Sequence, residues 1–294
     1  MPSVPTIRDY VQLTRPQNAS GSVLTYSIGY FLVVTTLSYD FFIGLLILLA
    51  LHSLATVQND IADVEIDRAN KRRSVLQTNS LTISNAKFFV QVLALTALVF
   101  ALLSPHRRLH LMAITGLLVI AWLYNISPIR ASKRPILSIA VMGLSYGVLP
   151  FIYGYFVANG RVSTNYFFVF VLLWFLVRVS TSILKDFKDA VGDKIFKKET
   201  FYLHFGRLTT AWTSIIASVV AYIGLLAVLL ALKPKTVILF VTLSLASLLV
   251  LRNIIYRTTL LRTKNEERLN RIFHTSVFRH NQFEAAFLLC LILS

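Results

Sequence analysis

Acidic side chains are scarce in this chain: 13 Asp and Glu stand against 29 Lys and Arg in 294 residues, a formal net charge of +16. Charge of either sign is sparse, at 14% of residues, while 56% are hydrophobic and the mean hydropathy is +0.68. A soluble domain of this length needs more polar surface than that, so the composition excludes one. The single Cys290 excludes an internal disulfide. Residues 1–19 contain Pro2, Pro5, Arg8, Asp9, Arg15 and Pro16 and lack an apolar core, so no cleavable signal peptide is expected there. No low-complexity stretch or polar block interrupts the sequence, which reads as a single integral-membrane domain over 1–294.

What is abundant is long apolar sequence. Runs fall at roughly 20–37, 41–57, 86–103, 110–127, 136–158, 164–184, 209–232, 236–251 and 281–294. In lipid every backbone polar group must be satisfied internally, which leaves helices or closed barrels. Long continuous runs, rather than short alternating ones, point to helices. The expected fold class is all-α: a multi-spanning transmembrane bundle of about nine helices. The ninth run is shorter than the roughly 20 residues that a full crossing needs.

A basic excess in a soluble protein would point to nucleic acid. Here, of the 29 bases, 23 lie in the N-terminal segment and even-numbered loops, five lie in odd-numbered loops, and Arg178 sits inside a run. That asymmetry predicts a cytoplasmic N-terminus and even loops, with the lipid bilayer and not nucleic acid as the partner. The stretch Arg252 to Arg279 alternates bases with apolar residues and includes Glu266 and Glu267. It is expected to form an amphipathic surface helix near anionic headgroups.

Six of the few acids form two copies of one pattern. Asp60, Asp63 and Asp67 are followed by Arg68, and Asp186, Asp189 and Asp193 by Lys194. Positions 0, +3 and +7 share one face of a helix. Each copy ends an apolar run and enters an even loop, so both lie on the same side of the membrane. Carboxylates so crowded repel, by about 4 kcal/mol for two charges 4 Å apart at an effective dielectric of 20. Oxygen-only ligands suit a hard cation, Mg²⁺ or Ca²⁺, and Mg²⁺ habitually shares carboxylates with substrate phosphate. One acidic helix end is ordinarily a solvated face; two copies with identical spacing in an acid-poor chain point to a metal and phosphate site.

At these residues the sequence resembles the UbiA superfamily of intramembrane prenyltransferases. Asn59, Asp60, Asp63 and Asp67 match its first motif, Asn-Asp-x-x-Asp-x-x-x-Asp, and Lys185-Asp186, Asp189 and Gly192-Asp193 match its second. Thr200 and Gly206 continue the second motif. Arg15-Pro16 with Asn18, and Tyr124 through Ser127-Pro128 to Lys133, give weaker support, and the likeness runs from about residue 12 to 230. It departs from the family at Arg73-Ser74-Val75 and at Thr181-Ser182-Ile183, which leaves the acceptor unassigned.

The resemblance implies Mg²⁺-dependent transfer of a prenyl group from a prenyl diphosphate to a hydrophobic or aromatic acceptor, in a cavity opening toward lipid. It implies one ion on Asp60, Asp63 and Asp67 and another on Asp186, Asp189 and Asp193, with Asn59 on the phosphate or a metal-bound water. Neutralising the diphosphate lets it leave. The remaining negative charge calls for bases, and Arg68, Lys71, Lys133, Lys185, Lys188 and Lys194 are near in sequence. Tyr124, Tyr146 and Tyr153 could face the allylic cation. Arg15 and Asn18 either bind diphosphate or cap the first helix, and Tyr124 is equally an interfacial aromatic. Arg178 is either functional or paired with the second carboxylate cluster. His52 is expected to pack, and His106 and His110 to lie far from the chemistry. The alternatives are a membrane terpene cyclase of the same family and, from another class, an ion-coupled transporter, whose sites lie nearer the bilayer midplane.

Overall fold

A computed structural model of the chain describes residues 5–70, 74–78, 80–161, 166–231, 237–263 and 265–293. Among them every regular element is helical. A short α1 (Ile7–Thr14) opens on a capping box in which Thr6 and Asp9 exchange side-chain bonds. Its chain turns at Arg15, left-handed at φ 47°, into a 3₁₀ turn at Pro16–Ala19 and then α2 (Ser20–Phe31). Ser38 caps α3 (Tyr39–Ala62) by accepting the Phe41 amide, and α4 (Val64–Ala69) follows. Thr82 caps α5 (Ile83–Leu103) in the same way, and α6 is Arg107–Asn125.

Proline at the first position starts α7 (Pro135–Gly143), which passes through a π turn at Leu144–Val148 into α8 (Leu149–Val157). Then come α9 (Phe167–Ser182), α10 (Asp186–Ile195), α11 (Phe201–Ala231, broken at Gly206), α12 (Val237–Thr258) and α13 (Glu266–Ile292).

Among the described residues six helical stretches are long and apolar enough to cross a membrane: Tyr39–Ala62, Ile83–Leu103, Arg107–Asn125, Pro135–Val157, Phe167–Lys185 and Phe201–Ala231. The expected all-α fold class therefore holds, but the count of about nine helices, eight of them full spans, is not borne out among the described residues. The first apolar run forms only the 12-residue α2. This helix is rich in small residues and packs inside the bundle against α8. Gly29 meets the Phe151 carbonyl there and Gly154 meets the Tyr26 carbonyl, so closely that an added Cβ would stand 2.1 and 1.9 Å away. Small residues at such crossings are how helices approach in lipid.

The short ninth run is the second half of α13, a single helix of 27 residues. The stretch Arg252–Arg279 does not form the single amphipathic surface helix expected of it. Those residues divide between α12 and α13, and Arg257 is fully buried, its Nη1 donating to the Ser180 carbonyl at 2.8 Å and to Ser214 Oγ at 2.9 Å. Among the described bases of this stretch Arg257 alone is buried, while Arg252, Arg262, Arg268 and Arg271 stay exposed. Outward faces carry Leu95, Phe168 and Leu248, each more than 60% exposed, which gives the bundle an apolar jacket for lipid.

Candidate active site

The first carboxylate motif breaks its helix, and the second begins directly after a break. α3 stops at Ala62, Asp63 takes φ −108° and ψ 15°, and α4 leaves at a new angle. The Asp63 and Asp67 amides still reach back to the Asn59 and Asp63 carbonyls at 2.9 and 2.8 Å. Arg130 donates to the freed Ala62 carbonyl at 2.8 Å. The second motif enters through a 3₁₀ turn at Ile183–Lys185 before α10 begins. The expectation of one straight helical face per motif is thus corrected for the first, whose trio wraps around the bend at Asp63, while the second trio lies within α10.

The two bends meet. Asn70 at the end of α4 accepts the Gly192 amide of α10 at 2.6 Å. A Cβ at Gly192 would lie 2.6 Å from both Asn70 Nδ2 and the Ile66 carbonyl, so only glycine lets the helices touch here. Lys198 crosses the junction, 2.8 Å from Asp63 Oδ2 and 3.5 Å from Asp193 Oδ1. Arg130 Nη2 adds a contact to Asp63 Oδ1 at 3.3 Å, and Arg15 Nη2 bonds Asp60 Oδ2. Arg15 and Arg130 both sit in left-handed backbone, at φ 47° and 36°, and Lys197 beside Lys198 does so at 51°. Such conformations persist where surrounding contacts hold them, and they cluster at functional sites.

Beneath this junction lies a cavity of about 490 Å³. Asp60, Asp63, Asp67, Asp189 and Asp193 line it, with Asn59, Arg15, Asn18, Tyr124 and Lys185. Lys185 Nζ donates to Tyr124 Oη at 2.6 Å. Burial pushes the Asp67 carboxyl up to about 7, with repulsion from Asp60 and Asp189 adding to it against Arg15. Burial does the same to Asp193, also up to about 7, against Lys198 and with help from Asp189 and Asp186. For Lys198, burial favours the neutral amine, yet Asp63 and Asp193 outweigh it and raise its pKa. Among the described residues, five carboxylates at the mouth face four bases, Arg15, Arg130, Lys185 and Lys198.

Several expected residues stand elsewhere. Asp186 does not line the cavity: its Oδ2 accepts the Phe201 amide at 3.1 Å, capping the start of α11, and burial raises its pKa. Arg68 pairs with exposed Glu65 at 2.7 Å, because the bend after Asp63 turns its position outward. Lys133 is absent from the lining and Lys194 is exposed. Lys71 and the Lys188 side chain lie outside the described residues. Tyr124 and Tyr146 line the cavity, but Tyr153 packs away from it, bonded to His110 Nδ1 at 2.6 Å.

Arg178 pairs not with the carboxylate cluster but with Glu284 of α13, at 2.5 Å. His52 does more than pack: it lines the cavity, edge-on to Tyr146 with 5.4 Å between ring centroids. His106 and His110 gather around Asp40 at the opposite end, as expected. Lys198, Arg130 and Asn70 were missed as site residues. Loop bases of equal charge carry no mark of which will fold inward, and Asn70 lies three residues past Asp67 with nothing but position to single it out.

Among the described residues no three carboxylate, imidazole or thiolate side chains converge into a metal cage by themselves. The donor set is nonetheless all oxygen, negatively charged in excess, and split between two facing helices. That suits a hard cation that takes one or two carboxylates and completes its shell with phosphate and water.

A lipid-embedded helical bundle with paired Asp motifs closing one cavity defines a class of intramembrane enzyme, and comparison with known proteins agrees. The model of the UbiA prenyltransferase family matches residues 22–281, and the chain belongs to that family. It is 25% identical over 189 residues to a digeranylgeranylglyceryl phosphate synthase of Methanoculleus marisnigri, a match covering 64% of this chain and 65% of that protein. It is also 25% identical to a homogentisate phytyltransferase of Synechocystis, over 69% and 70% of the two chains. The fold is shared with a UbiA homolog from Archaeoglobus fulgidus solved with DMAPP and Mg²⁺: TM-score 0.71, 19% identity, 96% and 99% of the chains covered. The same homolog bound to GPP and Mg²⁺ aligns equally well.

Proposed function

We propose that this protein transfers a prenyl group from a prenyl diphosphate to a lipophilic acceptor, with Mg²⁺, at the cytoplasmic face of a membrane. The observation that carries the reading is the convergence of Asp60, Asp63 and Asp67 with Asp189 and Asp193 on one cavity mouth beneath a ring of bases. Those five carboxylates would hold the ions, with Asp186 bracing α10 against α11. Bound there, Mg²⁺ would act as a Lewis acid that stabilises the departing diphosphate.

The chain's own groups do the rest. Arg15, Arg130 and Lys198 are already bonded to the carboxylates and can pass donors to the phosphate oxygens as ions take their place. Lys185, steadied by Tyr124, adds a cation at the wall. Below, Leu48, Leu51, Ala55, Leu117, Ile120 and Met142 form an apolar sleeve suited to the prenyl tail, and exclude water from the reacting carbon. Tyr124 and Tyr146 line the same cavity, and their rings would shield a developing allylic cation. The membrane side follows from the basic loops that share this end.

Support also comes from relatives whose names are prenyltransferases and from a fold neighbour solved with DMAPP and Mg²⁺. To test the reading, purified protein is incubated with geranyl diphosphate and either Mg²⁺ or EDTA, and diphosphate release is measured. Release that needs Mg²⁺ and disappears in Asp60→Asn is expected. Release that is indifferent to both, or no release from any prenyl diphosphate, would refute it.

A further inference from the structure

About two helical turns below the carboxylates, the cavity wall changes character. Arg178 on α9 donates through Nε to the Tyr146 carbonyl at 3.0 Å, and through Nη2 to the Gly21 carbonyl and Thr25 Oγ1, each at 2.6 Å, and to Glu284 at 2.5 Å. All four bonds run through Nε and Nη2. Nη1 lies beside Gly21, so close that a Cβ there would stand 2.6 Å away. The next residue, Ser22, is 2% exposed, lines the cavity, and its Oγ has no hydrogen-bond partner. Across the cavity His52 is 7% exposed and its Nε2 is likewise unpartnered.

His52 and Arg178 are joined through one residue: His52 packs edge-on against the Tyr146 ring and Arg178 holds the Tyr146 carbonyl. They occupy equivalent places, each eight residues before the first aspartate of a motif. Buried polar atoms are almost always satisfied, and those left open in a native site ask for a ligand.

We propose that Ser22, His52 and Arg178 form the subsite for the acceptor, and that the acceptor presents a hydroxyl group there. The inference rests on the prenyl-transfer reading and names its second substrate by class. The reason is complementarity. Arg178 Nη1 offers a donor, an imidazole nitrogen offers a lone pair, and Ser22 can do either. A hydroxyl is the small group that satisfies a donor and a lone pair at once. A carboxylate or phosphate has only lone pairs and no proton to give the imidazole, and Glu284 already matches the Arg178 charge.

In the step itself, the C1–O bond to diphosphate breaks and its electron pair leaves with the diphosphate. An acceptor oxygen lone pair forms the new C–O bond to C1. The proton on that oxygen passes to the imidazole of His52, and an ether results.

The test uses the full protein with Mg²⁺ and an unreactive prenyl thiodiphosphate. Its thermal shift is read with 1-O-hexadecylglycerol, with the same lipid capped as its dimethyl ether, and with hexadecanoate. A shift with the free glycerol ether alone is expected. It should be lost at least several-fold in Ser22→Ala and in His52→Phe, while both variants keep the shift given by thiodiphosphate and Mg²⁺. With geranyl diphosphate, the wild type should also form the prenylated glycerol ether, seen by mass.

Equal shifts from the capped ether, a shift with hexadecanoate alone, no shift with any probe, or full retention in both variants would each overturn the proposal. Mg²⁺-dependent diphosphate release is measured in parallel without acceptor. If release persists while hydroxyl binding fails, only the acceptor subsite falls; if release is absent, the prenyl-transfer reading falls with it.

Discussion

The two aspartate motifs have the same spacing and different structures. In the first, Asp60, Asp63 and Asp67 all line the cavity, and bases from three other segments, Arg15, Arg130 and Lys198, reach in to meet them. In the second, Asp189 and Asp193 line the cavity while Asp186 turns to cap α11. The helix break differs as well: a kink at Asp63 in one, a 3₁₀ turn ahead of Asp186 in the other. Equal spacing therefore fixes where carboxylates can go, but the neighbouring helix decides what each one does. The first motif gathers bases around its carboxylates; the second is partly a joint between α10 and α11.

The largest effect should separate those roles. Asp63→Ala is expected to cut Mg²⁺-dependent diphosphate release about 10²–10³-fold, the range seen when one stabiliser of developing charge is removed. Asp186→Asn should keep much more activity and instead lower the unfolding free energy by about 1–3 kcal/mol, as a buried acceptor is weakened. Steady-state rates and denaturant curves for both variants would break the comparison if the losses proved equal in kind.

Next comes the contact between the motifs. Gly192→Ala forces a Cβ against Asn70 and Ile66. The expected result is a loss of about 1–3 kcal/mol from overpacking, with a raised Mg²⁺ requirement as α4 and α10 separate. Unchanged melting and metal dependence would show that the junction is looser than described.

A third test uses pH. Asp67 and Asp193 are pushed up to about 7 in the metal-free protein, above the ordinary carboxylate range. A group whose pKa is raised on folding lends stability below its unfolded value and loses it as pH climbs through the folded value. The metal-free protein should thus melt lower between pH 5 and pH 8, and the rise in melting temperature on adding Mg²⁺ should be larger at pH 8 than at pH 6. A rise that shrinks with pH would contradict the assignment. The smallest effect is expected at Arg68, the base that follows the first motif: Arg68→Ala removes an exposed pair with Glu65 and should change stability and rate little, within about 0.5 kcal/mol.

How much of this was legible in the sequence varied with the physical cause. The helices of α3, α5, α6, α9 and α11 follow from apolar runs long enough for a bilayer, because burial in lipid leaves the chain no other choice. The aspartate motifs were legible for the same kind of reason: crowded carboxylates in an acid-poor chain need a partner. α2 and α13 were misjudged because neither follows hydropathy. α2 is short and small-residued, and packs by close approach. α13 carries His280 and Glu284 into the interior, where Arg178 of a distant segment pairs with Glu284 and His280 lies against the same carboxylate. The bases of the site were illegible for a related reason. Lys198 and Arg130 differ from Lys133 and Lys194 only in how left-handed residues and loop closures aim them, and no local pattern encodes that. His52 and Ser22 drew little notice in the sequence, since an unpartnered polar atom is visible only once the walls of the cavity are in place.

The convergence of both motifs on one diphosphate is most directly examined by crystallising the protein with a prenyl thiodiphosphate and Mn²⁺ and locating the metal by anomalous scattering. Two peaks are expected, one among Asp60, Asp63 and Asp67 and one beside Asp189 and Asp193, joined by a single diphosphate with the prenyl chain running down toward Leu48 and Leu117. Metal confined to one motif, or a diphosphate bound away from both, would contradict it.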